Sequence, residues 1–196
     1  MIIIDIETSG VSPWKDGILS IGAVDFNDPK REFYEECQLR DGANVDDKAL
    51  EINGFTLADI KDNRKKTEKE IIQNFFDWAM MSNDHMIGGH NPTFDITFLQ
   101  FASEIHKINF PLAKRMIDLH SICFFHMIRE GIIPPTNKGR SALDSDRVMD
   151  YVGIEPEPKP HNAFRGAKWE SEAFMRLLYN KSIYPEFKNM KIPWQV

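Results

Sequence analysis

The first apolar positions of the chain run together. Ile2, Ile3, Ile4 and Ile6 surround Asp5, a short β-branched run of the kind that forms a buried strand. Thr8-Ser9-Gly10 breaks it. Residues 17–26 predict a second strand, Asn27-Asp28-Pro29 a turn, and residues 31–39 a third strand, so the chain begins as a meander of neighbouring strands. The period changes at Thr67. Ile71, Ile72, Phe75, Phe76 and Ala79 share one helical face, and Thr67 and Glu70 stand at the spacing of a capping box. Residues 85–89 read as a short strand ending in glycines, 94–105 as a helix, 115–118 as a last strand and 119–129 as a helix. Residues 141–152 also read as helical. Pro156, Pro158 and Pro160 stiffen a lead into His161, a helix follows to about Tyr179, and the tail from Tyr184 is irregular. Strands first, then alternating helices and strands, predict one α/β domain with a mixed sheet.

Composition narrows the class. Of 196 residues, 42% are hydrophobic and 28% charged, which is globular and not disordered. No apolar run approaches the ~20 residues of a membrane span. Met1 to Asp5 lacks a basic region and meets an acid at once, so it does not read as a signal peptide. Cys37 and Cys123 have no C-x-x-C spacing; that excludes a disulfide scaffold and a multi-cysteine zinc site, and it suits a reducing cytoplasm. The formal net charge of -6 disfavours a protein that coats long duplexes. An enzyme acting on one nucleic-acid end stays open, because metal ions supply positive charge locally.

Three segments carry candidate chemistry. In Asp5-Ile6-Glu7-Thr8, alternate strand residues face the same way, so two carboxylates stand side by side. They read either as ligands of Mg²⁺ or Mn²⁺, hard cations that prefer oxygen, or as solvated acids at a strand end. In the second segment, residues 89–99, Gly88-Gly89 permits a sharp turn, and Asp95 lies where a helix begins, a position that favours an acid with or without a catalytic role. In the third, His161 ends the proline-stiffened lead and precedes a helix. Imidazole exchanges a proton near neutral pH, although a lone histidine is more often structural.

Together the motifs are more specific than any one. The chain resembles the DnaQ-like, or DEDDh, family of 3′-to-5′ exonucleases, in Asp5-Ile6-Glu7-Thr8-Ser9-Gly10, in His90-Asn91-Pro92-Thr93-Phe94-Asp95, in His161-Asn162-Ala163 and more weakly in Ile117-Asp118-Leu119. The resemblance implies a ribonuclease H-like fold: a mixed sheet of about five strands, the first antiparallel and the later ones parallel, flanked by helices. Residues 1–183 would form the exonuclease domain, with 184–196 a tail packed on it. It further implies two Mg²⁺ or Mn²⁺ ions held by Asp5, Glu7 and Asp95. His161 would orient or deprotonate the attacking water, and nucleoside 5′-monophosphates would leave a single-stranded DNA or RNA 3′ end. Thr8, Ser9, Gly10 and Val11 would line the terminal nucleotide, with Asn91 and Phe94 as walls; Val11 and Phe94 read equally well as ordinary packing. Family members include polymerase proofreading and repair subunits, so a polymerase or repair partner is implied as one option, a membrane is not, and the oligomeric state stays open.

The chain departs from the pattern at Gly166, where the family carries an aspartate that ligates metal. Glycine offers no oxygen, so impaired activity is expected, or a module that binds ends without cutting them. Glu170 stands one helical turn further, about 5.4 Å along the axis; it reads either as an acid whose longer side chain reaches back toward the missing ligand position, directly or through water, or, more ordinarily, as a solvated helix residue. Lys138, Arg140, Arg147, Arg165 and Lys168 are candidates for phosphate guidance or for a solvated face.

Overall fold

A computed structural model of the chain describes residues 1–113 and 115–195. In chain order its elements are β1 (Ile2–Thr8), β2 (Ile18–Asp25), β3 (Asp28–Glu36), α1 (Asp47–Asn53), α2 (Leu57–Ile60), α3 (Glu68–Met80), β4 (Ile87–Gly89) and α4 (Thr93–His106). There follow β5 (Met116–Asp118), α5 (Leu119–Arg129), the hairpin β6 (Thr136–Asn137) and β7 (Arg140–Ser141), α6 (Ser145–Val152) and α7 (Ala163–Tyr179). The main sheet has five strands in the order β3-β2-β1-β4-β5. β1, β2 and β3 pair antiparallel, and β4 and β5 join in parallel, which is the expected mixed sheet.

The sheet is covered on both faces. Alternation along β1 sends Ile2, Ile4 and Ile6 to one side, where they meet Phe75, Phe76, Phe98 and Leu99 of α3 and α4. Ile3 faces the other way, among Val148, Phe174 and Leu177 of α6 and α7. Asp5 and Glu7 share that second face, so the strand that anchors both cores also carries two acids under α7. The capping box at α3 forms as its spacing predicts, with Thr67 Oγ1 accepting from Glu70 N–H and Glu70 accepting from Thr67 N–H.

Several elements differ from the expectation. α1 and α2 fill the stretch after β3. β3 starts at Asp28 and ends at Glu36; beyond it Cys37 N–H still donates to Leu19 O, and Cys37 forms an isolated bridge with Lys66. The helix expected over 141–152 starts only at Ser145, where Asp144 accepts from Arg147 N–H and caps it; the residues before it form the β6–β7 hairpin. Within the tail, Tyr184, Phe187 and Ile192 are buried; Val196 lies outside the described residues. Arg176 of α7 is fully buried with Glu172 at 2.7 Å, and it donates to the carbonyls of Phe187 and Met190. Among the described residues, no helix is long and apolar enough to cross a membrane.

Candidate active site

Gly22 decides how α7 meets the sheet. Asp5 pairs with Gly22 across β1 and β2, and a methyl group at 22 would overlap the backbone of Ala163 and Phe164. The bare glycine therefore lets the first turn of α7 lie directly on β2. Asn162 caps that turn by accepting from Arg165 N–H, and its amide donates to Tyr34 Oη at 2.9 Å. One turn inward, Gly166 comes under Asp5: a Cβ there would overlap Asp5 Oδ2 and lie 2.9 Å from Asp5 Cγ.

Asp95 reaches the same place from α4. It stands in the first turn, and its Oδ1 accepts from Ile6 N–H at 3.0 Å, which ties the helix start to β1 between the two strand acids. The expected helix-start acid is thus also a buried one. Glu170 corrects the reading of a solvated helix residue. It is only 6% exposed, and its Oε2 accepts from His90 N–H at 3.0 Å, where β4 ends. The side chain of a helical residue leans toward the helix N-terminus, so Glu170 covers the turn that begins at Gly166.

His161 lies beside a further acid, Glu157, rather than in contact with Asp5, Glu7 or Asp95. Its N–H donates to Ile52 O, and its Nδ1 lies 3.6 Å from Glu157 Oε2. Glu157, in the proline-rich lead, also accepts from Asn162 N–H and from Arg165 Nε at 3.0 Å. Nothing in a Pro-Glu-Pro-Lys-Pro stretch marks that glutamate from sequence; its place becomes visible only when the lead folds back over α7.

The electrostatics are those of crowded acids short of positive charge. Burial pushes the carboxyl of Glu7 up to about 8, Glu157 and Asp95 push the same way, and Arg165 opposes them. Burial also pushes Asp95 up to about 8, against the pull of backbone N–H donors. Asp5 is raised well above the carboxylate range by loss of water, then by Glu7, Glu170, Asp95 and Glu157. Glu170 is raised likewise, by burial and then by Asp95. Among the described residues, no Lys or Arg forms an ion pair with Asp5, Asp95 or Glu170.

A divalent metal fits this donor set in chemistry. The oxygens are hard, Glu7 is only 9% exposed, and neither Glu7 nor Asp5 accepts a hydrogen bond from the described residues. As the side chains stand, no group of His, Cys, Asp or Glu among the described residues is arranged to hold an ion, so ligation requires the carboxylates to turn toward one another.

The remaining expected contacts divide. Val11 is 77% exposed, so it is not packing material. Asn91 and Phe94 line a groove of about 300 Å³ with Pro13, Trp14, Thr93 and Phe98, and Phe94 packs on Phe98 with ring centroids 4.9 Å apart. Trp14, 63% exposed, was not singled out from sequence. Ser9 spends its polar groups inside the loop: Oγ donates to Asn44 O and accepts from Gly17 N–H. Thr8 Oγ1 donates to Gly10 O, and Thr8 O accepts from Asn53 Nδ2. Lys168 is turned away from the acids, paired with Glu186 and lying over the ring of Tyr184. Arg165 is held by Glu157 and by the carbonyls of Pro158 and Pro160. Arg147 donates to Ala142 O, while Lys138 and Arg140 stay exposed around the hairpin turn.

The family model described as Exonuclease (RNase_T) matches residues 2–174. The 3'-5' DNA exonuclease Cap18 of Escherichia coli is 26% identical over 179 residues, 88% of each chain. The PolC-type DNA polymerase III of Thermotoga maritima is 26% identical over 160 residues, 77% of this chain and 11% of that polymerase, so the chain spans a small part of that relative. The nuclease domain of 3'hExo, a DEDDh family member bound to rAMP, superposes with a TM-score of 0.70 at 15% identity, covering 97% of this chain and 94% of that one. The zinc-bound complex of E. coli ExoI with ssDNA superposes with a TM-score of 0.71 at 16% identity, covering 89% and 40%. The chain belongs to the family described as Exonuclease (RNase_T), and its fold is that of the DEDDh-type nuclease domain on which it superposes.

Proposed function

We propose that the chain hydrolyses the last phosphodiester of single-stranded DNA or RNA from the 3′ end, releasing nucleoside 5′-monophosphates with the help of two Mg²⁺ or Mn²⁺ ions. The observation that carries this reading is Asp5 and Glu7 on one strand face, Glu7 buried and Asp5 partly so, both without hydrogen-bond donors among the described residues, and joined by Asp95 through Ile6 N–H. When bound, divalent cations draw off the charge that builds on the attacking and leaving oxygens of an in-line displacement. Asp5, Glu7 and Asp95 would hold them. His161 takes the proton of the attacking water, and Glu157 beside Nδ1 turns the ring. The terminal bases lie along Val11, Asn91 and Phe94, and backbone groups of residues 8–10 face the terminal sugar.

Gly166 contributes no oxygen, so hydrolysis is slower than in a site with an acid there. The same glycine favours a second reading, a module that binds 3′ ends without cutting. A cytoplasmic setting belongs to the proposal, supported by the free, buried Cys37 and Cys123. The match to part of a polymerase supports a polymerase or repair partner. Residues 1–183 form the proposed domain and 184–196 its tail, supported by Tyr184 and Phe187, which pack into the domain core.

The test is a 5′-labelled single-stranded oligonucleotide incubated with Mn²⁺ or with EDTA. Stepwise shortening from the 3′ end, lost in EDTA and in Glu7→Gln, is the expected result. Binding of the end without shortening under any metal condition overturns hydrolysis in favour of the binding module.

A further inference from the structure

Position 166 is not simply an empty ligand position. The carboxylate of Asp5 leans over the bare α-carbon there, so Asp5 and a side chain at 166 compete for one space. One turn on, Glu170 stands on the same face of α7. Its long side chain runs back toward that turn and ends at the close of β4, 3.5 Å from where a Gly89 Cβ would sit. One oxygen, Oε2, is held by His90 N–H; the other accepts no hydrogen bond from the described residues. Glu7 supplies a second, independent sign of a ligand, a nine-tenths buried carboxylate with no protein donor on the same face.

A carboxylate so deeply buried is costly unless something compensates it. A purely structural role as acceptor for one backbone N–H is served as well by glutamine, whose amide oxygen accepts without the charge. Resting on the metal-dependent reading above, we infer that Glu170 is a metal ligand of this site and supplies, from one turn further along α7, the oxygen that Gly166 lacks. Glutamate carries one methylene more than aspartate, and that added reach goes with the added turn. Gly166 and Glu170 then form a single arrangement: the glycine makes room for Asp5, and the glutamate restores the acid.

The experiment is Mn²⁺ binding to the full chain, followed by the electron paramagnetic resonance of free Mn²⁺, for the wild type, Glu170→Gln, Glu170→Asp and Glu7→Gln. Circular dichroism checks that each is folded. Affinity is expected to fall tenfold or more in Glu170→Gln, which keeps the shape and the acceptor for His90, and to fall also in Glu170→Asp, which keeps the charge but shortens the reach. Wild-type affinity in a folded Glu170 variant, with binding lost in Glu7→Gln, overturns this assignment and leaves the metal-dependent reading standing. A wild-type chain that binds no Mn²⁺ overturns both.

Discussion

The carboxylate of Asp5 rests on the bare α-carbon of Gly166, and even a methyl group at 166 would overlap its Oδ2. The end of an aspartate is free to turn, so Gly166→Ala is expected to fold. Alanine also gains about 1 kcal/mol over glycine in a helix interior. The turned Asp5 loses the place over α7 that the bare glycine allows it. Hydrolysis is therefore expected to fall at least tenfold while the melting temperature holds or rises. Full activity in Gly166→Ala would show that this orientation of Asp5 does not matter.

Stability should depend on pH with an unusual sign. Glu7 and Asp95 keep their protons up to about 8 in the folded chain, whereas carboxyls in an unfolded chain release theirs near about 4. Between those values the folded state binds more protons than the unfolded one, so their contribution to stability is full below the lower value and is lost as pH rises through the upper. In EDTA, the melting temperature should drop from about pH 5 to about pH 8 more steeply in the wild type than in Glu7→Gln. Mn²⁺ should oppose the drop at the alkaline end, where it meets ionised carboxylates. Equal slopes for the two proteins contradict the burial of an uncompensated acid.

Trp14 stands exposed at the rim of the groove that holds Phe94 and Asn91. A base stacked on an aromatic ring contributes about 1–3 kcal/mol. Trp14→Ala is expected to weaken single-strand binding about fivefold or more on that scale, with an unchanged salt slope, because no phosphate contact is lost. Unchanged affinity assigns Trp14 to the solvent.

Arg176 and Glu172 form a fully buried pair that also binds the tail: Glu172 Oε2 accepts from Ile183 N–H, and Arg176 donates to Phe187 O. Arg176→Ala leaves a buried acid alone, which costs about 3–5 kcal/mol. Urea unfolding is expected to show that loss. A change below about 1 kcal/mol, the scale of an exposed pair, contradicts the clamp.

Much of this was legible locally. The isoleucines around Asp5, the Thr67–Glu70 capping spacing and the alternation that pairs Asp5 with Glu7 need only neighbours in sequence to be read. α1 was missed because seven residues carry too few apolar positions to show a period, although Asp46 and Gly54 mark its two ends. The hairpin before α6 was missed for the same reason, its strands being two residues each. Glu157, and the burial of Glu170 against the end of β4, depended on contacts between distant segments, although the reach of Glu170 back toward position 166 was one of two readings open in the sequence. Their roles follow from Gly22, which sets the depth at which α7 lies on the sheet, and no local pattern reports that depth.

The central claim is that the acids of β1, α4 and α7 gather around divalent metal. Crystals soaked in Mn²⁺ and measured at the manganese absorption edge test it most directly. The account predicts an anomalous peak about 2.1 Å from carboxylate oxygens of both Asp5 and Glu7, with Asp95 and Glu170 turned toward it. No peak at those residues, from crystals of a protein that shortens oligonucleotides in the same Mn²⁺ solution, would contradict it.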